Sequence, residues 1–362
     1  MRAPFLLFLF TLAFVSGLLA VLQATVNQQL GVILGLGTLA TVISFAIGLL
    51  LLTLLVLAEA WCFGLPVLFS WASRPHPSLF LGGPIGVAFV TSSVFITLYI
   101  GFSLYYLFLV TGQLAAAVVA DARGFGVRGG AKIPATLPRL LLLLLALVGV
   151  LLSVLEALQG SSAALPPSSL AWCALSLLTG AATLVQSVLN RRAALLLPSK
   201  LQATWWSFAV GTALALLVFG VQAASLGGTP ALAAALARRA SDLAGVHFIG
   251  GLLGVAFVFA AIFVPELLGS QAFSIALVSG QLVGSAALDS VGLLGVQARA
   301  LSPLRLAGVV LVLCAAAGMQ LPCAAPPPAP PAPLSAAAPA PALGLEQAAQ
   351  GECVELKSTR VA

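Results

Sequence analysis

Gln23 and Asn27 stand four residues apart in an otherwise apolar stretch, and Gln186 and Asn190 repeat that spacing. On an α-helix, positions four apart share a face. Each pair therefore sets two carboxamides, able both to donate and to accept hydrogen bonds, on one side of one helix. Gln113 and Asp121 are eight apart, and Gln281 and Asp289 repeat them. Eight residues advance about 80° beyond whole turns, so both members of each pair can face inward. Such residues could do two things: bind a polar solute through Gln23, Asn27, Gln113, Gln186, Asn190 and Gln281, and exchange protons at Asp121 and Asp289. The competing reading is structural. Interhelical carboxamide bonds are worth about 0.6 to 2 kcal/mol each, and either Asp can close a helix end against a backbone N–H or an Arg. Gly82 with Gly86, and Gly250 with Gly254, form small-x3-small faces that let helix backbones approach closely. Phe45 and Phe208 could line a pathway, but packing is the expected role.

Composition says where these polar residues must sit. The chain has 362 residues, 61% hydrophobic and 7% charged, with mean hydropathy +1.16. Soluble domains average about 25% charged residues, so this chain cannot cover a water-soluble surface. That excludes a soluble enzyme, a disordered chain and a secreted disulfide scaffold. Unbroken apolar runs such as Leu140–Leu152 exclude a transmembrane β-barrel, whose strands alternate polar and apolar residues. The net charge of +6 is small and scattered, so a lipid bilayer and not a nucleic acid is the expected partner. Cys62, Cys173, Cys314, Cys323 and Cys353 form no CxxC pair and lie near no His at ligand spacing. No metal site, redox motif or cofactor is expected. With two His and no acidic pair at short spacing, no catalytic residue is expected either.

A helix crossing a ~30 Å hydrocarbon core needs about 20 apolar residues. Ten segments qualify, at 3–23, 36–57, 80–98, 101–120, 138–157, 168–188, 203–222, 247–264, 268–288 and 302–321. Gly101, and Pro265 with Gly269, mark two tight joints. Ala231–Ala240 reads as a short surface helix. Arg2 and the apolar stretch after it resemble a leader, but the repeat described next argues against cleavage. From Ala324 the chain is rich in Ala and Pro and reads as a disordered tail, dispensable for the membrane fold.

The polar residues belong to an internal repeat. Gly17, Gln23, Asn27, Ser44, Phe45 and Gly48 recur 163 residues later as Gly180, Gln186, Asn190, Ser207, Phe208 and Gly211. Gly82-Gly83, Gly86-Val87-Ala88-Phe89-Val90, Gly112-Gln113, Asp121 and Gly124 recur 168 residues later, in the same order. Matched Gln, Asn and Asp in an apolar background mark a duplication. The organisation is a first five-helix repeat at 1–157, a linker at 158–167, a second repeat at 168–323 and the tail at 324–362. Five crossings per copy make the second copy start from the opposite side. The halves are therefore inverted about a pseudo-two-fold axis in the membrane plane, an arrangement common in secondary transporters. Arg2, Arg74, Arg123, Arg128, Lys132, Arg139, Arg191, Arg192 and Lys200 fall on the N-terminal side, against Arg238, Arg239, Arg299 and Arg305 on the other. By the positive-inside rule both termini face the cytoplasm.

The Gln-x3-Asn, Ser-Phe-x2-Gly, Gly-Gly-x2-Gly and Gly-Gln…Asp-x2-Gly helices together resemble the YdcZ-type family of the drug/metabolite transporter (DMT) superfamily, over about 17–157 and 180–321. The chain is similar to two of that family's five-helix units fused in tandem. The resemblance implies an all-α integral membrane protein with a ten-helix, EamA-like fold and an exporter role for small metabolites or drugs; it implies no substrate. The alternative is a non-transporting scaffold on the same bundle. The first copy departs from the second around 91–108, where Tyr99, Tyr105 and Tyr106 appear, and that loss of symmetry suggests specialised halves.

Overall fold

The computed structural model describes residues 3–66, 78–124, 134–159, 169–226, 237, 239–268, 270–292, 295, 298 and 302–320. They form ten long helices: α1 (Ala3–Leu34), α2 (Gly37–Phe63), α3 (Ser78–Ile100), α4 (Phe102–Arg123), α5 (Leu137–Gln159), α6 (Ser169–Leu196), α7 (Lys200–Ser225), α8 (Gly250–Leu268), α9 (Ser270–Val291) and α10 (Pro303–Gln320). Two 3-10 turns, Ala240–Asp242 and Gly245–Phe248, precede α8. Nine of the ten are long and apolar enough to span a membrane, and Pro303–Met319 is a shorter apolar helix. The 18 residues of α10 rise about 27 Å, close to the ~30 Å hydrocarbon core. Large apolar side chains such as Leu7, Leu50, Leu141, Leu178 and Leu217 lie exposed on the outside, where lipid takes the place of a second protein layer.

Several helices outrun their expected bounds. The first and sixth segments were expected to end at 23 and 188, yet α1 continues to Leu34 and α6 to Leu196, so Asn27 and Asn190 lie inside helices. Length beyond a polar pair costs little when that pair faces protein. The second tight joint also differs from expectation. Pro265 lies inside α8, which runs on to Leu268; a helical proline loses its own backbone hydrogen bond and crowds the carbonyl four residues back, which kinks a helix without having to end it. Glu266 is therefore a helix residue, ion-paired with Lys200. Gly101, at φ 80°, does make the joint between α3 and α4. His76, Arg238, Arg299, the linker beyond Gln159 and the tail lie outside the described residues.

The inversion can be read from contacts. Asn27 lies against Gly250 and Gln23 against Gly254, so α1 and α8 run antiparallel. Asn190 against Gly82 and Gln186 against Gly86 repeat the arrangement for α6 and α3. Gly17 packs on Leu277 to Gln281, and Gly180 packs on Leu109, so α1 pairs with α9 as α6 pairs with α4. Helices α5 and α10 pack on each other through Gly149, Ser153 and Gly308. Each five-helix unit thus completes its core with the other's helices, which excludes two free-standing bundles.

Backbone approach at the Gly-Gly-x2-Gly helices is what allows this. A side chain on Gly251 would drive into the Ser44 carbonyl and come within 2.8 Å of the Gly48 nitrogen. Gly251→Leu is expected to cost about 1–3 kcal/mol or more, read as a lower melting temperature in detergent. A variant as stable as the parent would refute the close-packing assignment.

Candidate functional site

Around the pseudo-two-fold axis the duplicated residues meet their own counterparts. Gln23, Ser44, Phe45, Gly86, Phe89 and Val90 of the first half line a cavity of about 30 Å³ together with Gln186, Ser207, Phe208, Gly254, Phe257 and Val258 of the second. Every lining residue has its repeat partner on the opposite wall. The Phe45 and Phe208 rings lie 5.3 Å apart, and Phe89 and Phe257 stack at 6.5 Å with planes 26° apart. The expectation that Phe45 and Phe208 pack holds, and they also wall the cavity.

A larger cavity of about 120 Å³ adjoins it, sharing Phe89, Gln186, Phe257 and Val258. Gln113, Asn190 and Gln281 also line it, with Thr183, Ser187, Arg191, Phe273 and Ser274. Arg191 lies toward the end of α6 and Ser274 near the start of α9. Five crossings carry the chain over and α6 brings it back, so both residues belong to the N-terminal side. Four of the six candidate carboxamides thus gather at the larger cavity. Gln23 reaches only the smaller one. Asn27 lines neither and instead donates from Nδ2 to Ser44 Oγ at 3.1 Å. Gln113 donates to Thr183 Oγ1 at 3.1 Å. Gln281, 1% exposed, has an Oε1 with no protein partner among the described residues, and so does buried Gln23. A buried amide oxygen without a partner costs about 1–3 kcal/mol, a cost that a solute or a water can remove.

The mirror-related region on the opposite side is packed shut. Tyr105 and Tyr106 occupy the positions equivalent to Phe273 and Ser274, and both are fully buried. Tyr106 donates to the Ala20 carbonyl at 3.0 Å, Tyr105 and Ser92 share a hydroxyl pair at 3.0 Å, and the two rings meet edge to face. Gln28, at the position equivalent to Arg191, donates to Thr97 Oγ1 at 2.7 Å. Sequence spacing pointed to the tyrosines as a departure between the halves but not to this seal. Arg191, Thr183, Ser187 and Ser274 were missed as cavity residues; repeat comparison flags only matches, and none of these four is matched in α1 or α4.

The two carboxylates stand apart from both cavities. Asp289, 1% exposed, accepts the backbone N–H groups of Phe102 at 3.1 Å and Ser103 at 2.7 Å, capping α4 across the interface between halves. Asp121 pairs with Arg139 at 2.6 Å at the start of α5. The glycines Gly82, Gly86, Gly250 and Gly254 lie against Asn190, Gln186, Asn27 and Gln23 respectively, so each polar pair sits on the small-residue face of the other half.

An inverted-repeat bundle of ten apolar helices, with a largely apolar cavity between its halves into which several carboxamides are set, defines a multi-pass membrane protein of the transporter type. Residues 8–152 and 171–318 each match the family described as "Putative inner membrane exporter, YdcZ", and the chain belongs to that family as two tandem units. No curated protein matches the chain closely enough to count as a relative.

Proposed function

We propose that the chain is a secondary exporter of small metabolites or drugs that works by alternating access between its repeats, 1–157 and 168–323. The observation that carries the reading is the asymmetry about a symmetric centre. A cavity lies on the N-terminal side of the Phe89–Phe257 pair, and the equivalent volume beyond that pair is filled by Tyr105 and Tyr106. If the halves trade conformations, the opening passes to the other side while the central residues trade equivalent roles. Gln113, Gln186, Asn190 and Gln281 face the solute, with Gln23 and Asn27 taking the places of Gln186 and Asn190 in the other state. Asp121 and Asp289 hold helix ends, and proton exchange is not assigned to them. Both termini lie in the cytoplasm, so the described state is the inward-open one. A scaffold has no use for a cavity between its halves that carries four carboxamides.

Thiol labelling tests this. In a background lacking the native cysteines, Ser187→Cys is expected to react with an impermeant reagent from the cytoplasmic face. Ala24→Cys, its repeat equivalent, is 2% exposed in this state as alanine and should react from the opposite face only during turnover. Reaction of Ser187→Cys from the outside alone would refute the orientation. Ala24→Cys that never reacts in a protein shown to move solute would refute the exchange of access.

A further inference from the structure

The last turns of α3 and α8 are built from equivalent positions but meet their neighbours differently. On the far side of the membrane, α3 packs directly on the start of α2. A β-carbon on Gly37, the first residue of α2, would stand 2.6 Å from the Phe95 ring. Only a glycine lets the ring lie that close to the helix start. Thr97 in the same turn accepts the Gln28 amide from α1. On the N-terminal side, the repeat puts Lys200 in the place of Gly37, Phe263 in that of Phe95, Pro265 in that of Thr97 and Glu266 in that of Leu98. There the two helices meet through a side chain: Lys200 Nζ lies 4.7 Å from the centre of the Phe263 ring and is ion-paired with Glu266. The larger cavity lies beside this end of α8, between Asn190 of α6 and Ala261 and Ile262 of α8.

Resting on the reading that the halves exchange conformations, we infer that Lys200 is a strut that holds the cavity open on the N-terminal side, and that this side closes only when Lys200 leaves Phe263 and Glu266. Exchange would bring Phe263 onto residue 200 as Phe95 now lies on Gly37. The β-carbon of Lys200 occupies that place, so the ring has to shift and the side seals less tightly than its counterpart. Pro265 adds to the bias, because it has no hydroxyl to accept the bond that Thr97 accepts. The ion pair with Glu266 and the contact with the Phe263 ring hold the lysine where it obstructs. A partly exposed ion pair contributes little alone, and a cation over a ring adds a modest amount at such a site. The β-carbon therefore carries most of the effect, and the two polar contacts carry the rest.

Two readouts test the strut on the full-length protein without its native cysteines, in nanodiscs and without solute. Spin labels at Leu195→Cys and Leu267→Cys, both exposed at the N-terminal-side ends of α6 and α8, report the opening as a distance by pulsed electron resonance. Ser187→Cys in the cavity wall reports it as a labelling rate. Lys200→Gly, which copies position 37, is expected to add a shorter distance and to slow Ser187→Cys labelling roughly fivefold or more, the change that about 1 kcal/mol makes in a two-state ratio. Lys200→Ala keeps the β-carbon and should change both readouts less, as should Glu266→Leu, which copies position 98. Gly37→Ala is the reciprocal change and should make Ala24→Cys reactive at rest. Melting temperatures confirm that each variant is folded. Unchanged distance and rate in folded Lys200→Gly overturn the inference, and an equal effect of Lys200→Ala overturns its steric basis. Should Lys200→Gly not fold, Gly37→Ala decides, and an Ala24→Cys that stays protected there overturns the inference. If Ser187→Cys is unreactive from the cytoplasmic face in the parent, the access reading fails, while the spin-label distance still reports on Lys200.

Discussion

Asp289→Ala is expected to destabilise the protein by about 2–4 kcal/mol. The carboxylate accepts two backbone N–H groups at the start of α4, and it does so from α9 in the other half. The first N–H groups of a helix have no partner within it. Where water cannot reach, a side chain must supply the acceptor, and Phe102 and Ser103 are both buried. Alanine leaves two buried donors unpaired at once. Asp289→Asn keeps one acceptor oxygen and should lose about half as much. Denaturation in detergent, followed by monodispersity and far-ultraviolet signal, reads the loss. The folded fraction of Asp289→Asn is expected to retain any response of transport to a pH gradient. A fully stable Asp289→Asn protein that has lost such a response would return this carboxylate to proton exchange.

Tyr106→Ala should have the larger effect, about 3–5 kcal/mol, as for other large aromatic truncations in a core. The ring is fully buried, packs edge to face on Tyr105 and donates to the Ala20 carbonyl. Tyr106→Phe removes only that hydrogen bond and should cost about 1 kcal/mol. Tyr106→Ser transplants the residue found at the equivalent position 274 and should loosen the side that is now closed. Ala24→Cys in that background is expected to react with an impermeant thiol reagent from the far side without turnover. Full protection of Ala24→Cys in a folded Tyr106→Ser protein would show that the tyrosine is not the seal.

Most of the fold was legible because membrane helices announce themselves by length and apolarity, and because rare polar residues made the duplication visible. An odd number of crossings then dictated inversion. The helix ends were less legible. In water a polar residue such as Gln28 or Gln29 suggests a boundary, but in a bundle it can be an interior contact, and α1 runs through both. Pro265 misled because a proline inside a helix can kink it without ending it, and α8 runs on to Leu268. The central cavity could be anticipated from matched Gln residues, and four of the six carboxamides do meet at the larger cavity. The seal and Arg191 could not, because they reside where the copies disagree. Such disagreement shows divergence without showing what fills the space. The two Asp residues illustrate the remaining ambiguity: spacing put them on inward faces, and only the neighbouring helix starts revealed what they hold.

The paired phenylalanines at the centre have a bearing on direction. Whatever a residue on the dyad contributes to one conformer, its twin contributes to the other, so the Phe45–Phe208 and Phe89–Phe257 pairs cannot tilt the equilibrium. Any preference for one orientation must be written in the unmatched positions, above all Tyr105, Tyr106, Gln28 and Arg191. Evolution can thus reset the resting bias of such a molecule by editing a few unmatched side chains, leaving its pivot untouched.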